Sequence, residues 1–213
     1  IPSPGHARAV INSGLDLRVT PKIDTGLNRS GIDEADGADT FRLLHDAPNI
    51  TVTGLFSHLA CADEPGDPSV DEQADVFRRA IAMARDCGLD VPTNHLSNSP
   101  AALTRPDLNF EMIRPGLACY GLSPIPGVDA GLRPAMTWAA RVSVVKKITA
   151  GEGVSYGHTW HAPTDGYTAV ITVGYADGLP RTAQDALSVT IGGARYSQVG
   201  RVCMDQIVVW LGA

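Results

Sequence analysis

The stretch GEGVSYGHTW sets Tyr156 between a serine and a glycine, after a strand-like run and before a turn. A phenol there is either the anchor of a hairpin or a group held out for proton transfer. Free tyrosine titrates near ~10, so a tyrosine acting as a base near neutrality needs a positive neighbour. Further upstream, KIDTGLNRSGI places Lys22, Asp24 and Arg29 within eight residues, with glycines opening the turns. The chain has only three lysines, and two of them, Lys146 and Lys147, stand together on a strand that reads as exposed. Lys22, between Pro21 and Ile23, reads as largely buried. It is then either a Schiff-base nucleophile or half of an ion pair with Asp24.

HLSNSPAAL joins a strand to a helix whose first N–H groups are free, with Ser99 beside them. Such a helix start holds an anion, phosphate above all, or is an ordinary N-cap. IRPGLACYGL adds Gly116, which lets backbone N–H groups come close to a ligand, and Arg114, a fixed positive charge. A strand-end arginine more commonly pairs with a carboxylate. Two adjacent strand ends of this character nevertheless point together to a phosphorylated ligand. His58 closes another strand, as a structural histidine or a catalyst. No His, Cys or Asp spacing matches a zinc site, so no metal is expected. GYADGLPR and VGRVCMDQ carry Tyr175, Met204 and Asp205 in turns that read equally well as loop supports.

The elements that must position these residues alternate. LDLRVTPKI, NITVTGLFSHL, VPTNHLSNS and FEMIRPGLACYGL read as strands, with helices around 34–46 and from 69 onward. For the second helix, Ser69 and Glu72 suggest a capping box, and Val76, Phe77, Ala80, Ile81 and Ala84 recur at helical spacing up to Gly88. Pro100 suits the first turn of a third helix. Strand and helix alternating at this interval mark a parallel sheet, and in a (β/α)8 barrel the chemistry sits at the C-terminal strand ends. Asp24, His58, Ser99 and Arg114 all fall there. About four strands are visible and a barrel needs eight, so a partial barrel is expected. After the Pro/Gly-rich stretch 123–135 come four strand-like runs separated by Gly-rich turns. The expected organisation is an α/β barrel portion over 1–128 and a separate, mostly β domain over 129–213.

With 213 residues and a formal charge of −6, the chain has ample material for a core and little affinity for nucleic acid or anionic membranes. No apolar run approaches the ~20 residues of a membrane helix. Four scattered cysteines suggest reduced thiols in the cytoplasm. The chain starts IPSPG without methionine and stops at VVWLGA, which suggests a piece of something longer.

Taken in order, VTPKIDTGLNRSGI, FSHLACAD, NHLSNSPAAL, IRPGLACYGL, GEGVSYGHTW, VGYADGLPR and VGRVCMDQ resemble the alanine racemases over nearly the whole chain. The resemblance implies a barrel joined to a β domain, pyridoxal phosphate in the barrel mouth and a head-to-tail homodimer with shared active sites. Its implied activity is interconversion of L- and D-alanine by two-base proton transfer, supplying D-alanine for peptidoglycan. Carried over, Tyr156 resembles the catalytic tyrosine, which reaches the partner's barrel. Arg114 resembles the arginine at the pyridine nitrogen, supported by His58, and Ser99, Gly116 and Leu117 resemble the phosphate cradle. Arg29 is similar to the residue near the cofactor's phenolic oxygen and the substrate carboxylate. Lys22 is similar to a lysine that is often carbamylated to orient that arginine. Met204, Tyr175 and Asp205 are similar to residues lining the substrate's way in. The KANAYGHG-type motif with the cofactor-binding lysine is not among these residues, so the 213 residues alone are expected to be inactive. A broader-specificity racemase, a related decarboxylase and a non-catalytic cofactor-binding module stand as alternatives.

Overall fold

The computed structural model describes all residues, 1–213, as two compact units, Ile1–Met136 and Thr137–Ala213. The first unit begins with α1 (Pro4–Asn12), β1 (Leu17–Val19), α2 (Glu34–His45) and β2 (Ile50–Val52). It continues with α3 (Ser69–Asp86) and α4 (Ser99–Thr104). Motif spacing assigns no element before residue 15. The signal for α1 is Ser3 followed by Pro4, and the Ser3 hydroxyl accepts the His6 N–H at 3.3 Å, as an N-cap does.

The strand ends form one parallel series. β1 pairs with β2 in parallel, and single bridges continue the pairing through Lys22 to Phe56 and Phe56 to His95. The next segment follows without a ladder: Glu111 N donates to Asn94 O at 3.2 Å and Arg114 N to Ser97 O at 3.0 Å. Four neighbouring extended segments thus line up as part of a barrel wall. The strands are shorter than the sequence suggests. FEMIRPGLACYGL is not a strand, because Phe110 takes φ 49° and Leu117–Tyr120 closes into a 3-10 turn.

α3 shows why the core forms. Val70, Gln73, Ala74, Phe77, Ala80, Ile81 and Ala84 make one buried stripe, while Val76 is only half buried. The expected capping box is not formed. Ser69 lies within the helix, its N–H is taken by the Asp67 carboxylate at 2.9 Å instead of by Glu72, and the Glu72 N–H goes to Pro68 O at 3.2 Å instead of to the Ser69 hydroxyl. Phe77 is fully buried and meets Phe110 edge to face, with ring centroids 5.2 Å apart.

The second unit carries β3 (Val142–Ile148), β4 (Gly153–Val154), β5 (Trp160–His161), β6 (Gly166–Ile171), β7 (Ser188–Ile191), β8 (Ala194–Val199) and β9 (Ile207–Gly212). Five of these form an antiparallel sheet in the order β3-β6-β9-β8-β7, and β4 pairs with β5 beside it. One face buries Ala169, Ile171, Val202, Ile207 and Val209, and a second cluster gathers Ile148, Val154, Ala162 and Val199. The Pro/Gly-rich stretch belongs to the first unit, where Ala135 N donates to Tyr120 O at 3.1 Å. No helix is long and apolar enough to cross a membrane.

Replacing Phe77 by alanine removes the largest side chain of the α3 stripe. It is expected to cost about 3–5 kcal/mol, read as a lower denaturant midpoint at unchanged slope.

Candidate functional site

Arg114 organises the strand ends of the first unit. Its Nη1 donates to His95 O at 2.9 Å and lies 2.7 Å from His95 Nδ1, and its Nη2 donates to Ser57 O at 2.6 Å and Leu96 O at 3.2 Å. The guanidinium also stands 5.6 Å over the Phe56 ring, which itself stacks on His95. Four of its five N–H groups are thereby spent on the protein, and the Nε–H is left without a partner. No carboxylate pairs with it, contrary to the common fate of a strand-end arginine.

Arg114 fixes His95, which the motif reading did not single out. Burial first, and then the neighbouring guanidinium, push His95 down to about 4. It is therefore neutral, with Nδ1 accepting from Arg114. Its sequence signal was its position on the same strand end as Ser99. His58 is also lowered, by burial first and then by the charges of Arg114, Arg29 and Lys22. No hydrogen bond joins His58 to Arg114; the histidine that supports the arginine directly is His95.

Lys22 is buried, and its Nζ donates to Ser30 Oγ at 2.7 Å rather than to Asp24. Burial and the nearby Arg29 lower its pKa, while Asp24 partly opposes them. Asp24 is committed elsewhere, its Oδ1 accepting the N–H groups of Gly26 and Asn28 at 3.0 Å each. It shapes the loop that carries Arg29, which is exposed and has no ion-pair partner. Lys22, Arg29, Arg114 and His58 thus share one electrostatic neighbourhood that is strongly cationic.

Next to it, Ser99 Oγ accepts the Gly116 N–H at 2.8 Å and the Ala118 N–H at 3.3 Å, which leaves its own O–H free to donate. Asn98, not Ser99, is the N-cap, accepting from Ala101 N. The Leu117 N–H opens the 3-10 turn and has no partner, and a Cβ on Gly116 would meet nothing within 4 Å. The Ser99 O–H and the Leu117 N–H are therefore left free to donate, beside the open space at Gly116 and close in sequence to Arg114.

The second unit brings together the other candidates. Tyr156 is 70% exposed. It follows Ser155, whose φ of 61° and ψ of −170° lie in a region that non-glycine residues avoid at a cost of about 1–3 kcal/mol. The Ser155 hydroxyl donates to Arg201 O at 2.8 Å, and Gly200 lets that chain pass, since a Cβ there would sit 2.7 Å from Val154 O. The same segment receives the Tyr175 N–H on Cys203 O at 3.0 Å and the Ala176 N–H on Met204 O at 2.8 Å. Met204, Asp205 and Tyr175 are exposed on this assembly, and Arg181 stands 5.5 Å over the Tyr175 ring. Tyr156, Tyr175, Met204 and Asp205 therefore lie on three segments bound to one another. No group of His, Cys, Asp or Glu is arranged to hold a metal.

Comparison with known proteins matches residues 1–124 to the alanine racemase N-terminal domain and 135–213 to the alanine racemase C-terminal domain. The chain belongs to the alanine racemase family. It is 60% identical over 213 residues to the alanine racemase of Corynebacterium efficiens, covering 99% of this chain and 58% of that protein. The crystal structure of alanine racemase from Corynebacterium glutamicum superposes with a TM-score of 0.83 at 54% identity, covering all of this chain and 57% of that one. An alanine racemase of Clostridium difficile reaches 0.90 at 30% identity, covering 100% and 58%. The chain thus spans somewhat over half the length of the curated relatives it matches. Both halves of the expected fold, barrel and mostly β, are those of the family.

The neutral histidines have a stability signature. A histidine whose folded pKa lies below its ordinary 6.5 is protonated first in the unfolded chain, so acid favours unfolding. The contribution is whole above about 6.5 and is lost as pH falls towards about 4. Melting temperature should fall across that window, and less steeply in His95→Gln, which still offers Arg114 an acceptor; thermal scans at several pH values check this.

Proposed function

We propose that this chain forms the larger part of an alanine racemase that interconverts L- and D-alanine and supplies D-alanine for peptidoglycan. The observation that carries the reading is the presentation of Tyr156, an exposed phenol held outward by a backbone strained at Ser155. Strain of this kind is kept where function requires it.

The cofactor is pyridoxal phosphate, and the residues fit it. The Ser99 O–H and the free Leu117 N–H would take the phosphate, joined by the Gly116 N–H on leaving Ser99 Oγ, and the free Nε–H of Arg114 would meet the pyridine nitrogen. When bound, the cofactor supplies the electron sink that makes alanine's α-proton removable. Arg114 keeps its proton, since a guanidinium titrates above ~12, and so leaves that nitrogen unprotonated, which disfavours transamination. Arg29, exposed and unpaired, would bind the substrate carboxylate.

Racemisation needs one acid/base group on each face of the α-carbon. Tyr156 serves one face, reaching the barrel of a partner subunit in a homodimer. The cations Arg29 and Arg114 beside His58 supply the positive field that a phenolate requires. Lys22 suits carbamylation, because burial and Arg29 favour its neutral, reactive amine. Met204, Tyr175 and Asp205 would line the way in. A lysine for the opposite face is not among these residues, so the activity is proposed for the longer chain. The unpaired Cys61, Cys87, Cys119 and Cys203 suit the cytoplasm.

Tyr156→Phe in the holoenzyme removes only the phenolic proton. It should lower racemisation of alanine by about 10²–10⁴-fold while pyridoxal phosphate stays bound, followed by polarimetry and cofactor absorbance. Activity within a few-fold of the parent would exclude Tyr156 as the base.

A further inference from the structure

One glutamine sits where the α3 pattern calls for an apolar residue. Gln73 occupies the buried stripe between Val70 and Phe77 and is 3% exposed. Burying an amide is costly unless it is hydrogen-bonded, and Gln73 is satisfied at both ends. Its Oε1 accepts the Ala60 N–H at 2.9 Å, and its Nε2 donates to His58 O at 3.1 Å and to Thr25 Oγ1 at 3.0 Å. The chain continues inward. Thr25 Oγ1 and Ser57 Oγ are 2.8 Å apart, Ser57 Oγ donates to Ile23 O at 2.7 Å, and Ser57 O receives Arg114 Nη2 at 2.6 Å.

We propose that Gln73 is a positioning residue for His58 and Arg114, acting through a buried relay of Thr25 and Ser57; the proposal rests on the reading of this site as a racemase centre. The geometry leaves little else for the amide to do. Gln73 grips the backbone on the far side of His58, at His58 O and Ala60 N, while Ser57, the residue immediately before it, is held by Thr25, Ile23 O and Arg114. The imidazole is thereby held from both sides without any contact to its ring. The same relay binds the loop at Thr25, which leads to Arg29, to the strand end that holds Arg114. Apolar packing fixes a helix only to within side-chain adjustment, whereas three directed bonds fix the rotation of α3 relative to two strand ends. Misplacement of such groups by about 1 Å costs up to ~10²-fold in rate.

The test uses Gln73→Met, which keeps the volume and removes all three bonds, and Thr25→Val, which removes the relay hydroxyl, both in the holoenzyme. Each should lower kcat about 10- to 100-fold with KM changed less than about 3-fold, and the double variant should fall no further than the worse single one, as for groups acting as one unit. In the cofactor-free protein, nuclear magnetic resonance should show the His58 titration moving up towards about 6.5 in Gln73→Met, as the ring leaves its buried place beside Arg114, Arg29 and Lys22. A lowered melting temperature with kcat per folded molecule and the His58 titration both unchanged would make Gln73 a structural residue only and overturn the proposal. Should Gln73→Met fail to fold, Thr25→Val decides on the same readouts. Should the parent enzyme racemise no alanine, the function proposed above fails, and the His58 titration alone decides for or against Gln73.

Discussion

Everything at the strand ends of the first unit depends on a half-buried guanidinium that has no carboxylate. Taking an arginine out of water costs several kcal/mol unless its donors are met. Here they are met by neutral acceptors, the carbonyls of Ser57, His95 and Leu96 and a ring nitrogen. Those acceptors come from two neighbouring strand ends, so Arg114 ties the wall together where ladder bonds are sparse. Because the acceptors are neutral, the positive charge is not cancelled. A carboxylate would have satisfied the donors equally well and removed the field. The choice of carbonyls therefore serves both structure and electrostatics, and it adds to the burial that keeps the pKa values of His95 and His58 low.

The second unit solves a different problem, which is to hold one side chain out rather than to bury one. A five-stranded antiparallel sheet gives a stable base, and the 154–158 turn is pinned on it by the segment running from Gly200 to Met204. Ser155 carries the strain and its hydroxyl bond to Arg201 O helps to keep it. Tyr156 needs no bond of its own to be positioned. The constrained backbone at Ser155 sets the point and direction from which the Tyr156 side chain leaves the turn.

Much of this was legible in the sequence. The helix over 34–46, the α3 stripe up to Gly88 and the strands of the second unit follow from periodicity and glycine placement. Arg114, Ser99 and Gly116 stood out because their types and positions at strand ends suit an anion. What escaped were features decided by long-range contacts. His95 looked like any strand histidine until the fold laid Arg114, 19 residues on, against its ring. Lys22 invited pairing with Asp24 by proximity, yet Asp24 is used to cap its own loop and Lys22 turns to Ser30. Short strands were overread because extended, apolar segments in a barrel wall look alike whether or not they complete a ladder. Gln73 did leave a trace, a polar residue in an apolar stripe, but its meaning depended on which strand ends α3 covers.

The cationic neighbourhood also bears on the order of events. Burial first, and then the mutual repulsion of Lys22, Arg29 and Arg114, shift Lys22 and His58 towards their neutral forms. With Asp24 as the only carboxylate acting on Lys22, much of this charge is left for a ligand to balance. An anion at Ser99 and Gly116, or a carboxylate at Arg29, relieves that repulsion and is bound more tightly for it. Ligand binding is thus coupled to stability at the strand ends, and a neutral ligand of the same shape gains none of that coupling. A preference for ligands that carry an anionic group then arises from the one arrangement that keeps Arg114 unpaired.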